Sequence, residues 1–381
     1  MKFIHSADWQ IGKPFGTIEN EESRIMLKHQ RIKTLSAISD AVKDYNAEFV
    51  VVAGDMFDSD TVSRQDVSRL CKAVGAMKVP VFVIPGNHDR AAPGSIYEQE
   101  FFLREKRTHA SNMQIILEPK PIKAPNATLL PCPVRYEGSS STLSWLLNLD
   151  FNNIDTTLPR ILIAHGSIYD FQQETLSDYI NLDILPLNEI DYVALGDWHG
   201  TKKINDKTWY SGTHEQDRFP PTEDYDAGNI LLVEASRNSI PSVKKIQTGK
   251  IAWHSVAKNI SSSEELHLLI EQVNNLILES DSEALLQLNL TGTLSLSDLQ
   301  RLEEVIETWR ARFLYLRLKE MPQFIPNEEE IRTKLLSGED HLISRVTTRL
   351  LDEINSSSDK AEIAYAALRQ LFSACSKDGG L

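Results

Sequence analysis

Five short segments of this chain gather the side chains that bind metal ions. They are Asp8-Trp9-Gln10, Gly54-Asp55-Met56-Phe57-Asp58, Gly86-Asn87-His88-Asp89, His165-Gly166 and Gly196-Asp197-Trp198-His199, and each closes an apolar run. Carboxylate, amide-oxygen and imidazole donors suit divalent cations. Two such ions roughly 3.5–4 Å apart clamp the attacking and leaving oxygens of an in-line displacement at a phosphate ester. Asp55 follows Gly54, which permits a sharp turn, and its carboxylate is able to bridge two cations. Asn87 offers a neutral amide oxygen, and Asp197 and His199, two residues apart, face one way from an extended segment. His88 stands beside Asn87, where it could donate a proton to the leaving oxygen or steady the phosphate.

Such a site needs elements that bring five distant segments together. Residues 2–7, 48–53, 79–84, 160–164 and 191–195 are short runs rich in Val, Ile, Leu and Phe and read as buried strands. Between the first two, Ile32, Leu35, Ile38 and Val42 recur at helical spacing, predicting a helix over 21–45; a second is predicted over 63–77. The order strand–helix–strand–helix–strand defines an α/β class. In open α/β sheets ligands gather beyond the carboxyl ends of the strands, where all five polar segments fall. Residues 119–133, with five prolines, read as an extended connection and edge strands, and 136–144 as a Gly/Ser loop. Thr208–Ser211, Asn229–Glu234 and Ser242–Gln247 suggest short strands of a second, packed sheet. After about residue 254 a helix–strand–helix–strand unit reads as a separate small domain: Glu264–Leu278, Ala284–Leu290, Ser297–Trp309 and Phe313–Leu318. Amphipathic helices are expected over 328–354 and 359–375, with a Ser-rich break at Ser356–Ser358.

A length of 381 residues calls for two or three domains, and a 41% hydrophobic fraction is ample for packed cores. The formal net charge of −14 argues against coating nucleic acid by bulk attraction, but not against cutting it at a metal centre whose cations offset local acid. Cys71, Cys132 and Cys375 are widely spaced and form no ligand or disulfide pattern. No secretory signal or membrane-spanning run is read, so the expected compartment is the cytoplasm. There is no GxxxxGK[ST] phosphate loop, so any ATPase activity would belong to another chain.

On Asp8, Gly54-Asp55, Gly86-Asn87-His88-Asp89, His165-Gly166 and Gly196-x-x-His199, the chain resembles the calcineurin-like metallophosphoesterases. More narrowly, through Gly54-Asp55-Met56-Phe57-Asp58, the motif spacing and the small domain after the core, it is similar to SbcCD-type DNA repair nuclease subunits, bacterial DNA repair exonucleases among them. That resemblance covers residues 1 to about 320 and weakens after 250. It implies a two-sheet β-sandwich flanked by helices, a small α+β capping domain and C-terminal helices. The corresponding spans are 1–253, 254–325 and 326–381, the last a candidate ATPase-binding segment. It also implies DNA as substrate, manganese-dependent cleavage, an SMC-like coiled-coil ATPase partner and a homodimer. Carried over by position, one divalent ion falls to Asp8, Gln10, Asp55 and His199, and a second to Asp55, Asn87, His165 and Asp197, with His88 as the catalytic histidine. Two positions depart from the family pattern. The first motif usually reads DxH and here ends in Gln10; the last usually reads GHxH and here begins with Asp197. Each ion exchanges an imidazole for an oxygen donor, which favours manganese, or magnesium, over zinc. The competing reading is a decayed site in which Gln10 binds too weakly.

Other residues remain open. Asp58 is a catalytic candidate, or an acceptor that steadies a ligand, or a turn residue. Arg90, Lys202, His214 and Arg218 are candidate substrate contacts, Lys202 because the Lys202-Lys203 pair follows the last metal segment. Trp9 and Trp198 either stack bases beside the metals or pack to orient ligands. His5 falls within a strand and reads as a core histidine. The function expected is a two-metal DNA nuclease, exonuclease or also endonuclease, in repair or genome defence. The alternatives are a phosphoesterase of nucleotides or phosphoproteins and a DNA-end scaffold for an ATPase.

Overall fold

The computed structural model describes residues 1–135, 143–168, 180–222, 224–279, 283–324, 331–336, 341–355 and 360–377. Most of the Gly/Ser loop expected over 136–144, the Ser356–Ser358 break and parts of the helix expected over 328–354 lie outside these residues.

The chain divides into two compact units, Met1–Trp253 and His254–Leu381. The first is built on two six-stranded mixed sheets. Strands β1 (Lys2–Ser6), β2 (Phe49–Ala53), β3 (Val81–Ile84) and β4 (Met113–Ile115) run parallel, and β11 (Asn229–Glu234) and β12 (Ser242–Gln247) add antiparallel beside β1, in the order β12-β11-β1-β2-β3-β4. The other sheet has the order β5-β6-β7-β8-β10-β9. It comprises β5 (Ile122–Ala124), β6 (Ala127–Cys132), β7 (Arg160–His165), β8 (Tyr192–Gly196), β9 (Lys202–Lys203) and β10 (Thr208–Tyr210), with β6, β7, β8 and β10 parallel.

Alternation along the strands builds three layers of core. Phe3, Phe49, Val51, Phe82 and Ile84 pack with Leu129, Ile161, Ile163 and Tyr192 between the sheets. From the opposite face of the first sheet, Ile4, Val50, Val52, Val81 and Val83 meet Leu35, Ile38 and Val42 of α1 (Glu21–Tyr45) and Val67, Leu70 and Val74 of α2 (Arg64–Ala76). Leu130, Leu162, Val193 and Leu195 lie in a further cluster on the outer face of the second sheet. The architecture is a two-sheet sandwich flanked by helices, as the resemblance implies. Local chemistry sets the helix ends. Asn20 accepts from the Ser23 N–H at the start of α1, and Asn46 ends it in the left-handed region at φ 54°. Ser63 caps α2 through the Asp66 N–H.

One expectation is corrected. The Pro-rich stretch supplies an interior strand as well as an edge: β6, buried throughout, lies between β5 and β7. Pro131 is tolerated because β5 pairs with β6 only as far as Leu129, whereas Pro131 pairs with Ile163 of β7. A helix that the sequence pattern did not mark, α3 (Glu100–His109), buries Phe102.

From Ala252 onward, β13 (Ala252–Ile260), β14 (Ala284–Leu294), β15 (Tyr315–Glu320) and β16 (Gln323–Phe324) form a sheet, with helices over Ser263–Glu279 and Leu296–Arg310 between strands in sequence. Beyond it, helices over His341–Asn355 and Ala361–Lys377 share an apolar cluster with Leu335, Leu368 and Phe372. Within the helix expected across 328–354, the described residues show a π-helical turn at Arg332–Leu336 and an α-helix at His341–Asn355.

Candidate metal centre

All five polar segments leave the carboxyl ends of parallel strands: three from the first sheet (β1, β2, β3) and two from the second (β7, β8). Ligating atoms of Asp8, Asp55 and His165, all buried, lie within 4.8 Å of one another and could hold a metal ion. Bringing them so close bends the backbone. Asp8 (φ 52°), Gln10 (39°), Asp55 (53°) and Asp197 (104°) all occupy the positive-φ region that side chains other than glycine seldom adopt. Two glycines are required beside them. A Cβ on Gly54 (φ +91°) would lie 2.1 Å from His165 Nδ1, and one on Gly86 would lie 2.2 Å from Asp55 Oδ1.

The two oxygens of Asp55 divide the centre. Oδ1 accepts from the His88 N–H at 3.0 Å and lies 3.5 Å from His165 Nε2. His165 Nδ1 donates to the Ala53 carbonyl at 2.9 Å, which aims Nε2 at Asn87 Oδ1, 3.0 Å away, and toward Asp197 Oδ1 at 3.9 Å. Carboxylate, amide oxygen and imidazole therefore converge without a fixed donor among them except the imidazole. Burial works to lower the His165 pKa, yet Asp55, Asp8 and Asp197 raise it to about 9. The cluster thus demands positive charge at Nε2, which either a proton or a divalent ion satisfies, and this donor set fits the ion. Asp8 accepts the Asp197 N–H at 3.1 Å; burial, opposed by His199 and His165, lifts its pKa to about 6.

The other oxygen, Asp55 Oδ2, faces the Gln10 amide nitrogen at 3.3 Å, and that nitrogen also lies 3.2 Å from His199 Nε2. The Gln10 oxygen is turned away and accepts from Lys13 Nζ at 2.6 Å. His199 Nδ1 donates to Asp217 Oδ2 at 2.9 Å, which in the neutral ring leaves Nε2 as the acceptor. Lys13 lies 3.1 Å from the same Asp217 oxygen and 3.7 Å from Asp58. Burial opposes the Asp217 charge, but His199, Arg31 and Lys13 hold its carboxyl well below the usual range.

Around this core, His88 is anchored by Nδ1, which donates to the Asp58 carbonyl at 2.9 Å, while the half-exposed ring turns Nε2 to 3.9 Å from Asp55. Asp58 therefore meets His88 through its backbone and Lys13 through its carboxylate. Asp89 is fully buried and accepts from the N–H groups of Gly86 and Phe57 and from Tyr97 Oη, bonds that shape the loop carrying Asn87 and His88. Arg218 places one nitrogen 2.9 Å from His199 Nδ1 and bonds Asp217 Oδ1 at 3.2 Å. Lys202 is exposed and stands over the Trp198 ring, 5.7 Å from its centroid. Arg90 is half-buried.

His214 is corrected. Read as a substrate contact, it is fully buried, packs edge-on against Trp9, and donates Nε2 to the Arg31 carbonyl at 2.7 Å; burial and Arg31 pull its pKa down to about 3. The two tryptophans separate sharply. Trp9 is 0% exposed and donates to Ser6, whereas Trp198 is 41% exposed. Three residues of the centre escaped the sequence reading. Lys13 and Asp217 carry no pattern of their own. Arg31 had a usable signal, a lone cation on the face of α1 that buries Leu27, Leu35 and Ile38. Its guanidinium is buried and donates to the carbonyls of Asp8, Trp9 and Glu215 and to Thr213 Oγ1, tying the first metal segment to the loop that bears Asp217.

Fold and centre together define a metal-dependent phosphoesterase. The calcineurin-like phosphoesterase profile matches residues 1–201, more than half of the chain, and the chain belongs to that family. Among curated proteins, a subunit of the SbcCD nuclease of Staphylococcus epidermidis is 23% identical over 256 residues, which span 61% of this chain and 66% of that relative, just under two thirds of its length. Among solved structures, TT1561 of Thermus thermophilus aligns at 11% identity and a TM-score of 0.41, covering 65% of this chain and 98% of that one. Among the described residues no helix is long and apolar enough to cross a membrane.

Proposed function

We propose that the chain is a metal-dependent nuclease that hydrolyses phosphodiester bonds in DNA. The observation that carries this reading is the convergence of Asp55, Asn87, His165 and Asp197 next to a half-exposed histidine, His88, and an exposed tryptophan, Trp198. The first group is the ion-holding set this reading requires; Asp8 and His199 border it, and Gln10 shapes the neighbouring position. A divalent ion held by these residues would supply the positive charge that polarises a phosphate and eases loss of a proton from water. Manganese is the metal proposed, because oxygen donors outnumber imidazoles. The chain's own residues do the rest. The Asp58 carbonyl fixes the His88 ring through Nδ1, which leaves Nε2 turned toward the centre, 3.9 Å from Asp55, to pass a proton to the leaving oxygen. Lys202 and Arg218 border the site as cations for flanking phosphates. Trp198, against Tyr225 with ring centroids 6.0 Å apart and with Lys202 above it, offers an aromatic face on which a base can stack.

The name of the S. epidermidis relative supports a nuclease over a nucleotide or protein phosphatase. A role in repair or genome defence, residence in the cytoplasm, a homodimer and a coiled-coil ATPase partner extend the same proposal. Exposed Leu342, Val346 and Ile363 on the two C-terminal helices suit a partner-binding segment, with residues 254–325 as a capping domain. The test is cleavage of single- and double-stranded DNA, with small phosphodiesters as controls, across a manganese titration. Manganese-dependent cleavage of DNA in preference to the small esters is expected. Absence of cleavage at every manganese concentration, in protein shown to be folded, would sink the proposal; DNA binding without cleavage would leave a scaffold.

A further inference from the structure

Side chains are hydrogen-bonded to one another at both metal positions, but an amide N–H faces the histidine at the first and an amide oxygen faces it at the second. Lysine has only donors, so the Gln10 atom 2.6 Å from Lys13 Nζ is fixed as the amide oxygen. The amide nitrogen is thereby committed to the interior, 3.2 Å from His199 Nε2 and 3.3 Å from Asp55 Oδ2. His199 Nδ1 donates to the Asp217 carboxylate, so in the neutral ring Nε2 is an acceptor, and the Gln10 N–H meets it. Two of the donors assigned to the first position, His199 Nε2 and Asp55 Oδ2, are therefore both met by N–H groups of one amide. Turning the amide over would free its oxygen for a metal but would set the NH2 group against an ammonium. Lys13 has little freedom to yield: its side chain is 19% exposed and lies 3.1 Å from Asp217 and 3.7 Å from Asp58. The Arg218 guanidinium, 2.9 Å from the His199 ring, adds a second positive charge to the same half.

We propose that this chain holds one divalent ion tightly, at Asp55, Asn87, His165 and Asp197, in place of the two expected from the sequence. Lys13 and Gln10 occupy the role of the first ion. The Gln10 amide holds Asp55 and His199 by hydrogen bonds, and Lys13 supplies the local positive charge. The inference deepens the metal-dependent reading above and rests on it.

The test is manganese titration of the full chain, read by calorimetry and by the electron paramagnetic resonance of the bound ion. Wild type is expected to take up one manganese per chain, with the spectrum of an isolated ion. Lys13→Met removes the donor that orients the amide, and Gln10→Glu replaces the amide nitrogen with oxygen. Each is expected to bind a second ion at least about tenfold more tightly than wild type does, with a spin-coupled spectrum. Two ions of comparable affinity in wild type would overturn the inference and leave the phosphoesterase reading intact. Folded variants that still bind only one ion would overturn the role given to Lys13 and Gln10. A folded wild type that binds no manganese would overturn the metal-dependent reading itself.

Discussion

Two amides in this centre face two histidines with opposite ends. Asn87 turns its oxygen to His165 Nε2 at 3.0 Å, and Gln10 turns its nitrogen to His199 Nε2 at 3.2 Å. Around Asn87, His165, Asp55 and Asp197, oxygens crowd an imidazole and call for a cation. Around Gln10, the protein's own N–H groups already meet the acceptors, and an ammonium stands behind them. Donor type at a position is thus a weaker guide to metal binding than what each donor's other end is bonded to. A side chain three residues away, Lys13, decides which atom of Gln10 the centre sees.

The largest effect expected from breaking this comparison is at His165. His165→Ala should weaken manganese binding by at least about a hundredfold and abolish cleavage, whereas His199→Ala should retain the tight ion. Equal loss in both variants, by titration, would erase the asymmetry. Next comes His88→Ala, which should keep its ion yet turn over about 10²–10⁴ more slowly in single-turnover cleavage. A normal rate would remove His88 from proton transfer.

Arg31 and Lys13 contrast a structural cation with one that acts on the metal position. Arg31→Met strands several buried carbonyls and should cost about 3–5 kcal/mol of stability in urea unfolding, a loss that Lys13→Met should not share. The two tryptophans provide a smaller contrast. Trp198→Ala should weaken single-stranded oligonucleotide binding by about 1–3 kcal/mol with the fold unchanged. If Trp198 only packs, melting temperature would move and affinity would not.

A last contrast is pH dependence away from the metal. Burial lowers the pKa of His5 from 6.5 to about 3, against a raising bond to the Leu195 carbonyl, and its other nitrogen bonds Tyr192 Oη. An unfolded chain takes up protons near 6.5 that the native His5 and His214 refuse until about 3. Stability should therefore fall as pH drops through that window, by up to about 1.4 kcal/mol per pH unit for each group. Metal-free urea unfolding at several pH values should show a shallower slope for His5→Gln than for wild type.

Much of the scaffold was legible in the chain because its signals are local. Phe49–Ala53 and Tyr192–Gly196 read as continuous apolar runs because both faces of those strands are buried. The spacing of Leu35, Ile38 and Val42 marks α1 because one helical face meets one core. The short α3 escaped because it buries a single residue, Phe102. The strand-end carboxylates, amides and histidines could be grouped from sequence because parallel strands place their carboxyl ends along one edge of a sheet.

By itself, then, the sequence determined the α/β class, the strand ends at which ligands gather, and the residue types available there. Only the tertiary structure decided which tryptophan is exposed, that His214 lies beneath the site, and which end of Gln10 faces inward. Residue types and periods belong to an element and its immediate neighbours. Amide orientation, burial and histidine tautomer depend on contacts such as Gln10 with His199, or Arg31 with Glu215, which more than 180 residues separate in the chain and folding alone brings together.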